Sequence, residues 1–165
     1  MRAYTDRATR WLSRHSVRVL RVSLGLVFLG FGLLKFFPGA SPAQGLVERT
    51  IGTLTLGLVP PTAALLLTAV LECAIGLSLV TGVWLRAGLV VMAGALVGIL
   101  SPVVLFFDEL IAGGVTLTAQ YVLKDIVLVA GGLVVAAHAL GARTVVPGTD
   151  DAAAVLLRPA TPARR

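Results

Sequence analysis

Apolar residues run almost unbroken through four stretches of this chain, near Val17–Phe37, Thr62–Thr81, Leu85–Phe107 and Gln120–Leu140. Each is long enough to cross a bilayer, which takes roughly 20 mostly apolar residues. Residues Pro38–Pro61 follow another pattern. Val47, Ile51, Leu54 and Leu58 recur at helical spacing, while Glu48 and Arg49 point elsewhere. Ser41-Pro42-Ala43-Gln44 has the form of a capping box with proline at the first helical position. The pattern predicts a short amphipathic helix from about Pro42 to Leu58, lying on the surface as a lid and ended by Pro60-Pro61. Gly45, Gly52 and Gly57 weaken it, each by about 1 kcal/mol in an exposed helix. Ser101-Pro102 predicts a kink in the third run, because proline removes a backbone donor and frees a carbonyl. The link Asp108–Thr118 is acidic, then glycine-bearing. The expected fold is all-α, a membrane-spanning four-helix bundle with short amphipathic helices at the surface.

Composition agrees with the bilayer as solvent. The chain is 57% hydrophobic and 13% charged, with a mean hydropathy of +0.95, whereas soluble domains carry about 25% charged residues. The four runs leave no room for a separate soluble domain. Residues 1–16 read as a basic amphipathic arm, suited to a short helix on the membrane surface. Residues 17–142 make the four-helix domain, and 143–165, rich in Ala, Pro and Arg, a disordered tail. The first run reads as an anchor rather than a cleaved signal peptide, being longer than a signal-peptide core.

Charge sets the expected orientation. Arg2, Arg7, Arg10, Arg14, Arg18, Arg21, Arg86, Arg143, Arg158, Arg164 and Arg165 put 11 basic groups on one side, against Arg49 alone on the other. By the positive-inside rule both termini face the cytoplasm. The same arginines account for the pI of 10.7 as topology signals and anionic-lipid contacts, so nucleic acid is not expected as a partner.

Four charges remain inside the runs: Lys35, Glu72, Lys124 and Asp125. A charge at the bilayer centre is penalised by about 2.5–3.5 kcal/mol, so the four should face inward and pair near the outer end of the bundle. Gln120 with Lys124, and Tyr121 with Asp125, are four apart and give the last helix a polar stripe. Thr68, Glu72 and Gly76 share a face of the second crossing. Lys124 and Asp125 are about 100° apart around their axis and cannot both point the same way. The expected pairs are Lys124 with Glu72 and Asp125 with Lys35, and the swapped pairing stays open. The set reads either as an architectural ion network that fixes helix register or as a pocket for a small polar molecule or a quinone head group. Candidate ligand-binding residues are Lys35, Glu72, Gln120, Tyr121, Lys124 and Asp125.

Other chemistry is sparse. One cysteine, Cys73, excludes an intramolecular disulfide, a CxxC pair and an all-cysteine metal site; it reads as a small core residue. His138 reads as interfacial, and His15 lies outside the crossings. No metal-ligand spacing, P-loop, dinucleotide fingerprint or serine elbow occurs, so no metal site is expected and no catalytic residue is assigned. Any redox cofactor would be borrowed and not covalently held. Gly94 and Gly98 are expected to form a close-packing face, with Gly25, Gly30 and Gly32 doing similar work in the first helix.

Arg21-Val-Ser-Leu-Gly-Leu-Val-Phe-Leu-Gly-Phe-Gly-Leu-Leu-Lys35-Phe-Phe-Pro38 resembles the first helix of DoxX-like membrane proteins. Glu72-Cys-Ala-Ile-Gly-Leu-Ser-Leu-Val-Thr-Gly82 resembles their second, and Gln120-Tyr-Val-Leu-Lys124-Asp125 the start of their last. The resemblance implies a four-helix bundle in a bacterial inner membrane. The family takes its name from a subunit of a thiosulfate:quinone oxidoreductase, and some relatives are linked to oxidative-stress complexes. It therefore implies an accessory subunit with an outward polar pocket, linked to redox chemistry, with membrane or redox proteins or a further copy of the chain as partners. The alternative is a non-enzymatic subunit that assembles a larger membrane complex. A small carrier or channel would require oligomerisation.

Overall fold

The computed structural model describes residues 2–37, 39–112 and 116–142. Helix α1 spans Arg2–Leu34, α2 Gln44–Leu54, α3 Pro61–Thr81, α4 Leu85–Leu105 and α5 Leu117–Ala139, with a π-helical turn over Asp108–Ala112. No strand occurs among the described residues. Four apolar spans, Arg7–Leu34, Pro61–Thr81, Leu85–Leu105 and Thr118–Ala139, are long enough to cross a membrane. The all-α bundle and its four crossings match the expectation. The predicted tail, 143–165, lies outside the described residues.

Helix α1 packs on α3 and α5, and α4 packs on the same two helices, so α1 stands diagonally across from α4 and α3 from α5. Helix α2 lies across α3 and α4. Lipid tails are as apolar as leucine, so membrane helices associate through close packing, which small residues permit. At the α1–α3 seam a Cβ added to Gly76 would stand 2.7 Å from the carbonyl oxygen of Gly25 and the backbone nitrogen of Leu29. Glycines of α5 serve the same end of the bundle: Gly131 lies against Leu20 and Leu24, and Gly132 against Met92. Leu24, Phe28, Ile75, Leu79, Leu89, Met92, Leu96 and Val135 fill the core between these seams.

Several local readings are revised. Residues 2–16 do not form a separate helix; α1 runs unbroken from Arg2 for 33 residues. No glycine or proline precedes Gly25, so nothing breaks the helix where the arm meets the crossing. Gly30, Gly94 and Gly98 are not packing positions, because a Cβ at each would meet nothing within 4 Å. The capping box at Ser41 does not form. Helix α2 begins at Gln44 behind Ala43, with no side-chain cap. Gln44 Oε1 instead accepts from the Gly39 N–H at 3.0 Å, while the buried Ser41 hydroxyl has no partner. The helix stops at Leu54, since Leu56 and Gly57 turn into the left-handed region at φ 53° and 79°. Leu58 falls past this turn and is exposed rather than part of the apolar stripe.

Helix α4 passes through Ser101-Pro102 to Leu105. Proline at 102 cannot donate to the Gly98 carbonyl four residues back. The Ser101 hydroxyl donates to that carbonyl instead, at 2.7 Å.

Candidate functional site

Where the bundle carries α2, its helices enclose a cavity of about 250 Å³. All five helices line it: Phe28, Phe31 and Lys35 of α1 and the turn after it; Val47, Thr50 and Ile51 of α2; Thr68, Leu71 and Glu72 of α3; Ala95, Gly98 and Ile99 of α4; Thr118, Val122, Lys124, Asp125 and Leu128 of α5. The glycine contacts at Gly25, Gly76, Gly131 and Gly132 lie nearer the opposite end, while Gly32 packs beside the cavity. The bundle is therefore tight at one end and hollow at the other, and the open space beside Gly98 is part of the hollow.

Lys35 is brought to the floor by the way α1 ends. Its last turn tightens, with Lys35 donating from its N–H to the Gly32 carbonyl at 3.1 Å and Phe36 to Leu33 at 3.2 Å, the three-residue pattern common at helix termini. The ammonium donates to Glu72 Oε2 at 2.5 Å and, weakly, to the Phe31 carbonyl at 3.4 Å, one of the acceptors a helix C-terminus leaves unpaired. The two side chains are 3% and 7% exposed, so the pair is shielded almost completely.

The expected pairing of Lys124 with Glu72 and of Asp125 with Lys35 is overturned. Gly32 faces the Cβ of Glu72 and the backbone of Cys73 across the α1–α3 seam, which sets Lys35 next to Glu72. Helix α5 stands diagonally across from α3, and Lys124 turns to α1 instead. Its ammonium lies 4.0 Å from the centroid of the Phe31 ring, a cation–π contact, and 4.0 Å from Asp125 Oδ1. The pairing left open, lysine to carboxylate within each neighbouring set, is the one found. Lys124 is half-exposed and Asp125 largely covered, so this second pair stands at the mouth of the cavity.

Of the six residues the sequence singles out, Lys35, Glu72, Lys124 and Asp125 line one cavity. Gln120 is exposed and does not line it. Tyr121 is on α5, and its side chain lies outside the described residues. The Thr68 hydroxyl donates to the Ala64 carbonyl at 2.8 Å, so its proton is committed within α3.

Two features escaped the sequence reading. Thr50 of α2 lines the cavity, is buried, and has a hydroxyl with no hydrogen-bond partner. It sits three residues after Val47 and four before Leu54, on the apolar stripe, and that spacing was the available signal. The second is a clamp between α2 and the π-helical turn. Arg49 donates to both carboxylate oxygens of Glu109 at 2.5 and 2.6 Å, with its guanidinium 4.2 Å over the Phe106 ring. The partners are 60 residues apart, and no periodicity connects them.

The clamp gives α2 a pH-dependent fastening. Hydrogen bonding to Arg49 holds the Glu109 carboxyl below its usual range. A group whose value is lowered in the folded state stabilises that state above its unfolded value, and the effect fades as pH falls through the lowered one. Amide exchange in α2, corrected for intrinsic rate, should therefore stay slow at neutral pH. It should rise only below the ordinary carboxyl range. Glu109→Gln should exchange fast at every pH; slow exchange in that variant would show that the clamp does not hold α2 down.

The DoxX family model matches residues 16–107, from the bundle-packed part of α1 through α4. Lys35 and Glu72 fall inside the match, whereas Lys124 and Asp125 on α5 lie beyond it. Neither the curated proteins nor the solved structures contain a match to the chain.

Proposed function

The chain belongs to the DoxX family, and on that premise we propose that it is an integral membrane accessory subunit whose cavity takes the polar head of a small lipid-soluble ligand. In the specific version the ligand is a quinone and the setting is redox or oxidative-stress chemistry. The carrying observation is the cavity itself, with apolar walls on five helices, a shielded Lys35–Glu72 pair on its floor and an unpartnered Thr50 hydroxyl in its roof. Small-molecule sites have this makeup, mostly apolar with a few placed polar groups. Ionisable residues inside a membrane span are functional candidates for the same reason they are rare. The four charged groups of the lining sum to zero, so a neutral head can bind without leaving a net charge in hydrocarbon.

The arginine excess supports cytoplasmic termini under the positive-inside rule, and in a bacterial inner membrane that orientation would turn α2 and the cavity mouth outward. Membrane or redox proteins, or a second copy of the chain, are the partners an accessory subunit would have. A second reading, a purely architectural bundle, is favoured by one fact: Lys35 and Glu72 pair with each other across the α1–α3 seam.

Gly98→Leu separates the two. The substitution grows into open space beside the cavity, so the fold survives while the volume is filled. A short-tailed benzoquinone analogue should raise the thermal midpoint of the wild-type protein by mass action and leave that of Gly98→Leu unchanged. No shift in the wild type, or an equal shift in both, would reject the ligand reading and leave the architectural one.

A further inference from the structure

Helix α1 continues well beyond the bundle, and its charge there is arranged on one side. The first α1 side chains packed against the core are Val17 and Leu20. At about 100° per residue, Arg7, Arg10, Arg14, Arg18 and Arg21 fall within an arc of about 80°. Arg21 stands beside the end of α3, where a Cβ on Gly82 would meet its Nη1 at 2.7 Å. From there to Arg7 the stripe runs about 21 Å along the axis, at about 1.5 Å per residue. It prolongs the face that meets α3: Arg18 is in heptad register with Gly25 and Gly32, and Arg7, Arg14 and Arg21 with Phe28 and Lys35. The stripe thus looks toward the α3–α4 turn, Gly82–Trp84, and toward Arg86 in the first turn of α4.

Nothing described in the chain neutralises this stripe. None of the five arginines forms an ion pair among the described residues, and Asp6 is the one acidic residue before Glu48. Like charges four apart on a helix repel, as Arg10, Arg14 and Arg18 must. The buried Nε of Arg21 has no hydrogen-bond partner. A straight helix carrying these charges in line calls for an anionic surface against it.

Depth selects that surface. The apolar part of α1, about Val17–Leu34, measures about 27 Å at about 1.5 Å per residue, which matches the hydrocarbon alone at about 30 Å and leaves the helix before it among the headgroups. The arginine stripe therefore passes through the headgroup layer. The wall opposite is apolar and uncovered: Val83 and Trp84 are 62% and 85% exposed, and Trp84 holds a left-handed φ of 50°. Tryptophan at this level is the usual interfacial anchor. We propose that the cleft between the arginine stripe of α1 and the α3–α4 turn is a binding site for an anionic phospholipid, whose phosphate accepts from Arg14, Arg18 and Arg21 while its glycerol and upper acyl chains lie against Val83 and Trp84. Arginine suits this role through its paired donors to phosphate oxygens. The site is at the opposite end from the cavity and does not depend on what the cavity holds.

The two tryptophans of the chain, Trp11 and Trp84, both lie at this end and make the test direct. The protein is reconstituted in phosphatidylcholine with increasing brominated-chain phosphatidylglycerol, or with brominated phosphatidylcholine as the reference, and tryptophan quenching is followed. The anionic lipid should quench at lower mole fraction, and the preference should shrink as salt is raised. It should fall about fivefold for each arginine removed in Arg14→Gln/Arg18→Gln, at about 1 kcal/mol per basic residue. Both positions are exposed, so the variant folds. Arg49→Gln, at the other end, should keep the full preference. Equal quenching by the two lipids would overturn the site and leave the stripe to an acidic protein partner. So would a preference that survives in the double variant.

Discussion

Glu72→Ala is expected to destabilise the bundle by about 3–5 kcal/mol, the cost of leaving one member of a buried ion pair alone. Neutral hydrogen bonds between membrane helices average only about 0.6 kcal/mol. The difference arises because Lys35, 4% exposed, has no water to turn to when its carboxylate is gone. It must draw water into the bundle or pull α1 away from α3. The double variant Lys35→Met/Glu72→Leu removes both charges and keeps the volume, so it should recover most of the loss. Unfolding in mixed detergent micelles, run as a double-mutant cycle, measures the coupling. A single variant that costs less than about 1 kcal/mol would mean that the pair is wet rather than shielded. The double variant has a second use. If it is stable yet no longer responds to the quinone analogue, the pair serves the ligand as well as the fold; if it still responds, the charges are architectural and the cavity binds without them.

The crossings were legible because hydrocarbon imposes a single requirement on every residue of a span, and the runs around Leu24, Ile75, Leu96 and Val135 meet it apart from a few charges. The inward gathering of Lys35, Glu72, Lys124 and Asp125 followed from the same requirement. Which lysine meets which carboxylate was not legible, since that depends on the order of helices around the ring. Neighbouring order is set by the seam through Gly25, Gly32 and Gly76, and the sequence shows those glycines without showing what they face. The glycines of α4 make the point from the other side. Gly94 and Gly98 have the four-residue spacing of a packing motif and pack against nothing: Gly94 is on the exposed side of α4, and Gly98 borders the hollow beneath α2. Ser41 and Gln44 have the spacing of a capping box, but α2 starts only at Gln44 behind Ala43, so Ser41 does not stand at the cap position. The Arg49–Glu109 clamp joins distant segments that only the finished fold brings together.

Gly76→Ala and Gly98→Ala are the same change in two membrane helices, and they should have opposite signs. A Cβ on Gly76 would stand 2.6 Å from Leu29 Cγ and 2.7 Å from two backbone atoms of α1. Ordinary contact starts near 3.4 Å, so α1 and α3 must separate by about 0.7 Å, since a backbone cannot rotate aside as a side chain can. Overpacking of this kind costs about 1–3 kcal/mol. The strain does not stay local, because the same seam holds Lys35 against Glu72 one to two turns away, and a wider seam stretches that contact. At Gly98 the added methyl meets open space, and the change removes only the entropic disadvantage of glycine in a helix, gaining about 0.5–1 kcal/mol. Unfolding midpoints of the two variants measured side by side decide the matter. If both lose stability alike, the end that carries α2 is as tightly packed as the rest, and there is no cavity for a ligand to fill. If both are neutral, the α1–α3 seam is looser than described, and the register that joins Lys35 to Glu72 must be fixed by the ion pair itself.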